Sequence, residues 1–310
     1  MRLPIRRRGA AKGSPETSGH PLEAFHRSLG ELAVTRHGAL WHGAGRFSLF
    51  TVPNNRRVSA TKREIQDLLL ECGKLVAVFC PAEGSGPAVT EYVLHDKDYG
   101  PTRLQHQFRT HVRAHLPQFV TRELTWDEMA AGAGAIHSDV ARRRRVSVPD
   151  FTDSQRWAGV CKTAAGIAGL APYGCLRESS LVGYVVAWRA HGVCHGVLMN
   201  RDSRFDAMRA GNVLMYGFTR DQVARADTSR IDMGRSWYPP QPSLNSFKRH
   251  AGYEERQTTL AVVLHPWLES TLLSSWTRRC LRGIAAVSAG RVSFASDLQL
   301  LEGARLTDIP

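Results

Sequence analysis

The sequence predicts a mixed α/β chain of the α+β kind, built in two parts. Helical segments opened by capping boxes alternate with short apolar runs over the first half. Three closely spaced strand signals separated by tight turns follow in the second half and read as an antiparallel meander. Between them the run Arg142–Arg145, with Ser147 and Pro149, reads as an exposed boundary. The expected division is a disordered basic tail over 1–20, a first domain over 21–146 and a second over 147–310.

From Pro21 the spacing of Leu22, Phe25, Leu29 and Leu32 predicts a helix, followed by strand-like runs at Ala39–Trp41 and Phe47–Val52. Thr61 and Glu64 form a capping box, Gly73 stops the helix, and Leu75–Cys80 reads as a buried strand. Alternation through Val89, Glu91, Val93 and His95 predicts another strand. Leu104, Phe108, Val112 and Leu116 share a helical face until Pro117 ends it. After a strand at Phe119–Leu124, a second box at Thr125 and Glu128 opens a helix toward Val140.

In the second part Asp153 is the expected N-cap of a helix running through Trp157, Val160 and Ala164. The meander is Gly174–Arg177, Leu181–Arg189 and Val193–Met199, with Gly192 turning its last hairpin. A helix through Leu214 and Phe218, a short strand Ile231–Met233, a helical turn Leu244–His250 and a strand Leu260–Leu264 complete the unit. The amphipathic pattern of Trp267–Ile284 predicts a surface or docking helix. No repeat of 20 to 50 residues occurs.

An apolar fraction of 43% and a charged fraction of 22% over 310 residues exclude a disordered, collagenous or disulfide-stapled chain. The net charge of +13 and pI near 10.0 are the outliers. Only six of the 41 basic residues are lysines, so the excess reads either as a solvated arginine-rich surface or as attraction for phosphate or nucleic acid. Six cysteines without a C-x-x-C pair fit a reducing cytoplasm. No apolar signal segment follows the N-terminal arginines and no run approaches a membrane span, so a cytoplasmic chain without a span is expected.

The order strand, loop, helix start, strand suggests a site for an anionic ligand. The first N–H groups of the helix beginning near Arg209 lack intrahelical partners and carry the positive end of its dipole. Pyrophosphate is the natural guest. Gly211 lets the backbone approach, Arg209 adds a charge, and Met199 and Asn212 flank the same place.

The segment Ile231-Asp232-Met233-Gly234-Arg235-Ser236, followed by Ser243-Leu244-Asn245-Ser246-Phe247-Lys248-Arg249-His250-Ala251-Gly252, resembles the signature of the FemAB-like branch of the GNAT acyltransferase superfamily, which includes BioF2-like acetyltransferases. Gly211–Ala226 is similar to that family's preceding helix, and Leu104–Arg113 to its basic helix. The resemblance runs from Pro101 to Leu264 and is thin before residue 100. It implies two GNAT-like domains in tandem, each a mixed, mostly antiparallel sheet flanked by helices. It further implies transfer of an acyl group, acetyl foremost, from acyl-CoA to an amine of a small molecule, sugar or cell-envelope precursor. Bridge-forming members take aminoacyl groups from charged tRNA instead.

By that resemblance Lys248 holds negative charge in the transition state, as an ammonium aimed at an oxyanion would. Asp232 orients the amine, accepts its proton or fixes the following turn. Tyr238 is a candidate proton donor to a leaving thiolate, Arg235 is a candidate for an anionic acceptor or the donor phosphates, and Arg109, on the segment similar to the family's basic helix, is a candidate for an acceptor-side role. A decayed site in a non-catalytic nucleic-acid binder is the remaining alternative. His191, Cys194 and His195 are close in sequence, but alternating faces let only two converge, so no metal is expected there, and none is expected elsewhere in the chain. Gly84-Ser85-Gly86 lacks the context of a nucleophile elbow, and Asp96 and Asp98 read as turn residues.

Overall fold

The computed structural model describes residues 19–43, 47–144, 149–236, 241–272, 303, 304 and 306–309. The described residues begin with α1 (Glu23–Ser28), β1 (Ala33–Arg36), β2 (Ala39–His42), β3 (Ser48–Val52), β4 (Arg57–Val58), α2 (Lys62–Cys72), β5 (Val76–Pro81) and β6 (Ala88–Leu94). They continue through α3 (His106–His115), β7 (Val120–Glu123), α4 (Trp126–Gly132), α5 (Gly134–Arg144), α6 (Pro149–Thr152) and α7 (Ser154–Ala165). Then come β8 (Leu170–Arg177), β9 (Ser180–Ala190), β10 (Val193–Arg201), α8 (Ala210–Val223), β11 (Arg230–Arg235), α9 (Pro242–His250), β12 (Glu254–Thr259), β13 (Ala261–Leu264) and α10 (Pro266–Leu272).

Local signals place many of these elements. Thr61 with Glu64 and Thr125 with Glu128 close complete capping boxes, and Asp153 accepts from the N–H groups of Gln155 and Arg156. Gly73 ends α2 in the left-handed region at φ 61°, and Gly192 turns the β9–β10 hairpin at φ 74°. The expected helix from Thr125 toward Val140 is two helices, broken at Ala133 between Gly132 and Gly134, where glycine weakens continuation. Residues 1–18 of the expected tail, and the docking helix beyond Leu272, lie outside the described residues. His20 is held, its N–H donating to Thr35 Oγ1 at 3.1 Å.

Two mixed sheets result, both flanked by helices. The smaller runs β1-β2-β3-β5-β13, with β4 also parallel to β5. The larger runs β12-β6-β11-β10-β9-β8-β7 and is antiparallel except between β10 and β11. One face of the larger sheet packs Val185 with Phe108 and Val112 of α3 and Val213 and Phe218 of α8. The other packs Tyr184 and Val186 with Phe25 of α1, Met129 of α4 and Trp157 of α7. Alternate residues of β9 thus serve opposite cores, which is why Leu181–Trp188 is an unbroken buried run. In the smaller sheet Trp41, Leu49 and Phe79 pack on Ile65, Leu68 and Leu69 of α2.

The sheets do not divide at residue 147. β6 and β7, from before it, belong to the larger sheet, and β13, from after it, belongs to the smaller. The cause is backbone pairing, since Val93 finds ladder partners in Asp232 of β11 and Glu254 of β12. The basic run that suggested a boundary is partly tied down, because Asp139 accepts from Arg142 at 2.6 Å and Arg143 at 2.8 Å and from the Ser203 N–H at 2.8 Å. Among the described residues, no helix is long and apolar enough to cross a membrane.

Candidate active site

The parallel ladder between β10 and β11 is short. It joins Val193, Cys194 and His195 to Arg230, Ile231 and Asp232 and ends there. β10 continues on β9 as far as Arg201 opposite Gly183, with a bulge between Gly196 and Leu198. β11 continues on β6 as far as Arg235 opposite Glu91, with a bulge between Asp232 and Arg235. The two strands therefore fork at His195 and Asp232, each bulging where it leaves the other. Met233 fits beside Gly196, where a Cβ would lie 2.8 Å from the Met233 sulfur.

Asp232 sits at the crotch of this fork and is 1% exposed. Its carboxylate accepts from Asn55 Nδ2 at 2.6 Å and from the Gly234 N–H at 2.8 Å, while Arg230 Nη2 and His195 Nδ1 each stand 3.8 Å away. His195 Nδ1 is buried and has no hydrogen-bond partner, and the ring stacks on Trp188 with centroids 5.6 Å apart. Burial pushes its pKa below the ordinary 6.5, against the pull of the neighbouring Asp232.

Lys248 enters from α9. It is 6% exposed, donates to the Met233 carbonyl at 2.7 Å, and lies 4.9 Å from the centre of the Tyr92 ring. Burial pushes its pKa from 10.5 down to about 8, with Asp232 resisting and Arg235 assisting. Lys248 and Asp232 thus share one buried site, and the ammonium can give up a proton near neutral pH.

The other anticipated residues separate. Arg209 is exposed and forms the N-cap of α8 in the left-handed region at φ 53°, without a side-chain cap for that helix. Gly211 is buried, and a Cβ there would lie 2.9 Å from Arg201 Cδ. The Asn212 N–H already donates to the Arg209 carbonyl at 2.9 Å, and Met199 packs on the core shared with α8. Arg109 is half-buried on α3, whose Phe108 meets Phe247 of α9. Arg235 is not available to a ligand. It is 2% exposed, its Nε donates to the Asn54 carbonyl at 2.9 Å and its Nη1 to the Ser236 carbonyl at 3.1 Å, so it anchors the loop that carries Asn55. Tyr238 lies outside the described residues.

No family model matches the sequence, and no curated protein matches it. Among solved structures, FemX aligns with a TM-score of 0.50 at 8% identity, over 81% of this chain and 92% of that one. The chain has the FemX fold. L-PGS from Bacillus licheniformis aligns at TM-score 0.45 and 10% identity, over 78% of this chain and 87% of that one. A tandem GNAT protein from the clavulanic acid biosynthesis pathway aligns at 0.41 and 12%, over 74% and 80%. The FemAB-like resemblance read from residues 231–252 therefore has a counterpart in fold.

Within this fold the residues that sequence reasoning missed are His195, Asn54 and Asn55. Its spacing in the sequence presents His195 only as a metal-ligand candidate. Its place opposite Asp232 depends on the register of a parallel pair whose strands are separated by α8. Asn54 and Asn55 lie in a Pro-Asn-Asn-Arg turn with no local sign of a partner 177 residues away.

Proposed function

We propose that the protein is an N-acyltransferase that moves an acyl group from acyl-CoA to an amine. The observation that carries this reading is the fork, with a buried carboxylate, imidazole and ammonium at one end and the uncapped start of α8 following β10 at the other. Backbone groups freed where a ladder ends can hydrogen-bond the amides of an extended pantetheine arm, and the first turn of α8 with Arg209 suits its pyrophosphate. The neutral amine attacks the thioester carbonyl, forming the C–N bond. The oxyanion is held by Lys248 and backbone donors, and collapse breaks the C–S bond. The amine proton passes to the His195–Asp232 pair, and the thiolate leaves or takes a proton from Lys248.

Calorimetric titration with acetyl-CoA and CoA tests this before any acceptor is known. Saturable binding weakened by Arg209→Ala supports the reading, whereas folded protein that binds neither overturns it. The second reading keeps the site and takes aminoacyl-tRNA as donor, supported by the +13 net charge. It predicts binding of charged tRNA with a steep salt dependence, because each neutralised phosphate releases counterions.

A further inference from the structure

A second cluster lies outside the fork. His26 closes the last turn of α1, and the chain then makes a Schellman turn. The Gly30 N–H donates to the Arg27 carbonyl, the Glu31 N–H donates to the His26 carbonyl, and Gly30 takes φ 75°. That turn sets His26 beside Glu31, in the two positions that usually share an apolar contact. The β1–β2 hairpin supplies the third member. Ala33 pairs with His42, and the Gly43 N–H donates to the Leu32 carbonyl at 2.7 Å, so His42 comes back against Glu31.

Glu31 Oε2 lies 2.7 Å from His26 Nδ1 and 3.0 Å from His42 Nδ1, and all three donor atoms lie within 4.8 Å of one another. Tetrahedral zinc with bonds of about 2.0–2.1 Å spaces its ligands by roughly 3.3–3.4 Å, so small side-chain shifts would open the cluster around an ion. His26 Nε2 is buried and without a hydrogen-bond partner, so no other bond dictates which nitrogen of that ring carries its proton. Both imidazoles approach the same carboxylate oxygen, and both are held by backbone turns rather than by long flexible stems.

We propose that His26, Glu31 and His42 form a divalent transition-metal site of the zinc class, with one coordination position left for water. Two imidazoles and one carboxylate suit zinc, whereas calcium and magnesium take oxygen ligands. Because the ligands come from the end of α1, the following turn and the end of β2, the ion pins the first helix to the edge hairpin of the smaller sheet. The site is independent of the fork, and its test needs neither acyl donor nor acceptor.

Untagged full-length protein, stripped with chelator, is titrated with Zn²⁺ by calorimetry and with Co²⁺ by absorption, and the Tm is followed with and without zinc. The expected result is one ion per chain, tetrahedral Co²⁺ bands and a raised Tm. Glu31→Gln and His42→Ala should each weaken binding by more than the roughly 10–100-fold that loss of an outer partner costs. His42 is only half-buried, so its variant keeps the test alive if His26→Ala fails to fold. No binding by the folded parent protein, or binding of equal strength in both variants, overturns the site.

Discussion

Asn55 donates a 2.6 Å hydrogen bond to Asp232 across 177 residues of chain, joining the β3–β4 loop of one sheet to the fork of the other. Asp232 is otherwise held by the Gly234 N–H, so Asn55→Ala leaves a buried carboxylate with one close donor fewer. Hydrogen bonds to charged groups contribute about 1.5–3 kcal/mol, and Asn55→Ala should destabilise by that order. Asn55→Asp should cost more, because it places a like charge against Asp232. Urea midpoints of the three proteins check this; equal midpoints would show that the bond adds no stability.

Lys248 makes stability depend on pH in an unusual window. Its pKa is about 8 when folded and ordinarily 10.5, so between these values the unfolded chain binds a proton that the folded chain does not. Stability therefore rises with pH across that window as far as this group is concerned, by an amount of order 3 kcal/mol. Lys248→Met keeps the volume and should remove the rise, which unfolding curves from pH 7.5 to 10.5 would reveal. In the proposed reaction the same change should lower turnover by about 10²–10³, the usual cost of a lost oxyanion donor.

Much of the fold was legible because its signals are local. Thr61 with Glu64, Thr125 with Glu128, Asp153 and Gly73 each act within a few residues, and each stands where the spacing put it. β12 was missed because Glu254–Thr259 is polar and alternates nothing apolar; its strand character comes from pairing with β6. The sheet exchange at β6, β7 and β13 was missed for a related reason. Which strand a segment pairs with is decided by long-range backbone bonds, and these leave no local periodicity. Lys248 and Asp232, singled out by the motif, lie together in one buried place at the fork, whereas Arg235 could not be sorted from a ligand-binding arginine without its burial against Asn54.

Two helical glycines with opposite surroundings test the packing of α8. A Cβ at Gly217 would lie 2.3 Å from Thr121 Oγ1 and 2.7 Å from Thr121 Cβ, because α8 presses directly on β7 there. Gly217→Ala should cost about 1–3 kcal/mol as overpacking and displace the helix whose start borders the fork. Gly159, exposed on α7, has nothing within 4 Å of its position for a Cβ. Gly159→Ala should stabilise by about 0.4–1 kcal/mol through reduced freedom of the unfolded chain. Thermal unfolding of both variants gives opposite signs if α8 and α7 pack as described.

His195→Phe separates the imidazole's chemistry from its packing. The ring stacked on Trp188 is retained, and the nitrogen facing Asp232 is removed. Because burial lowers the pKa of His195 below 6.5, the folded protein resists a proton that the unfolded chain accepts. This group therefore lowers stability as pH falls below about 6.5, and the variant should be less sensitive to acid there. If His195 and Asp232 receive the amine proton, turnover should fall by about 10²–10⁴ in the variant and the acidic limb of kcat/KM should disappear. Thiol release from the donor, followed across pH 5 to 8, reads both effects. Full turnover in a stable His195→Phe protein would leave Asp232 to act without the imidazole.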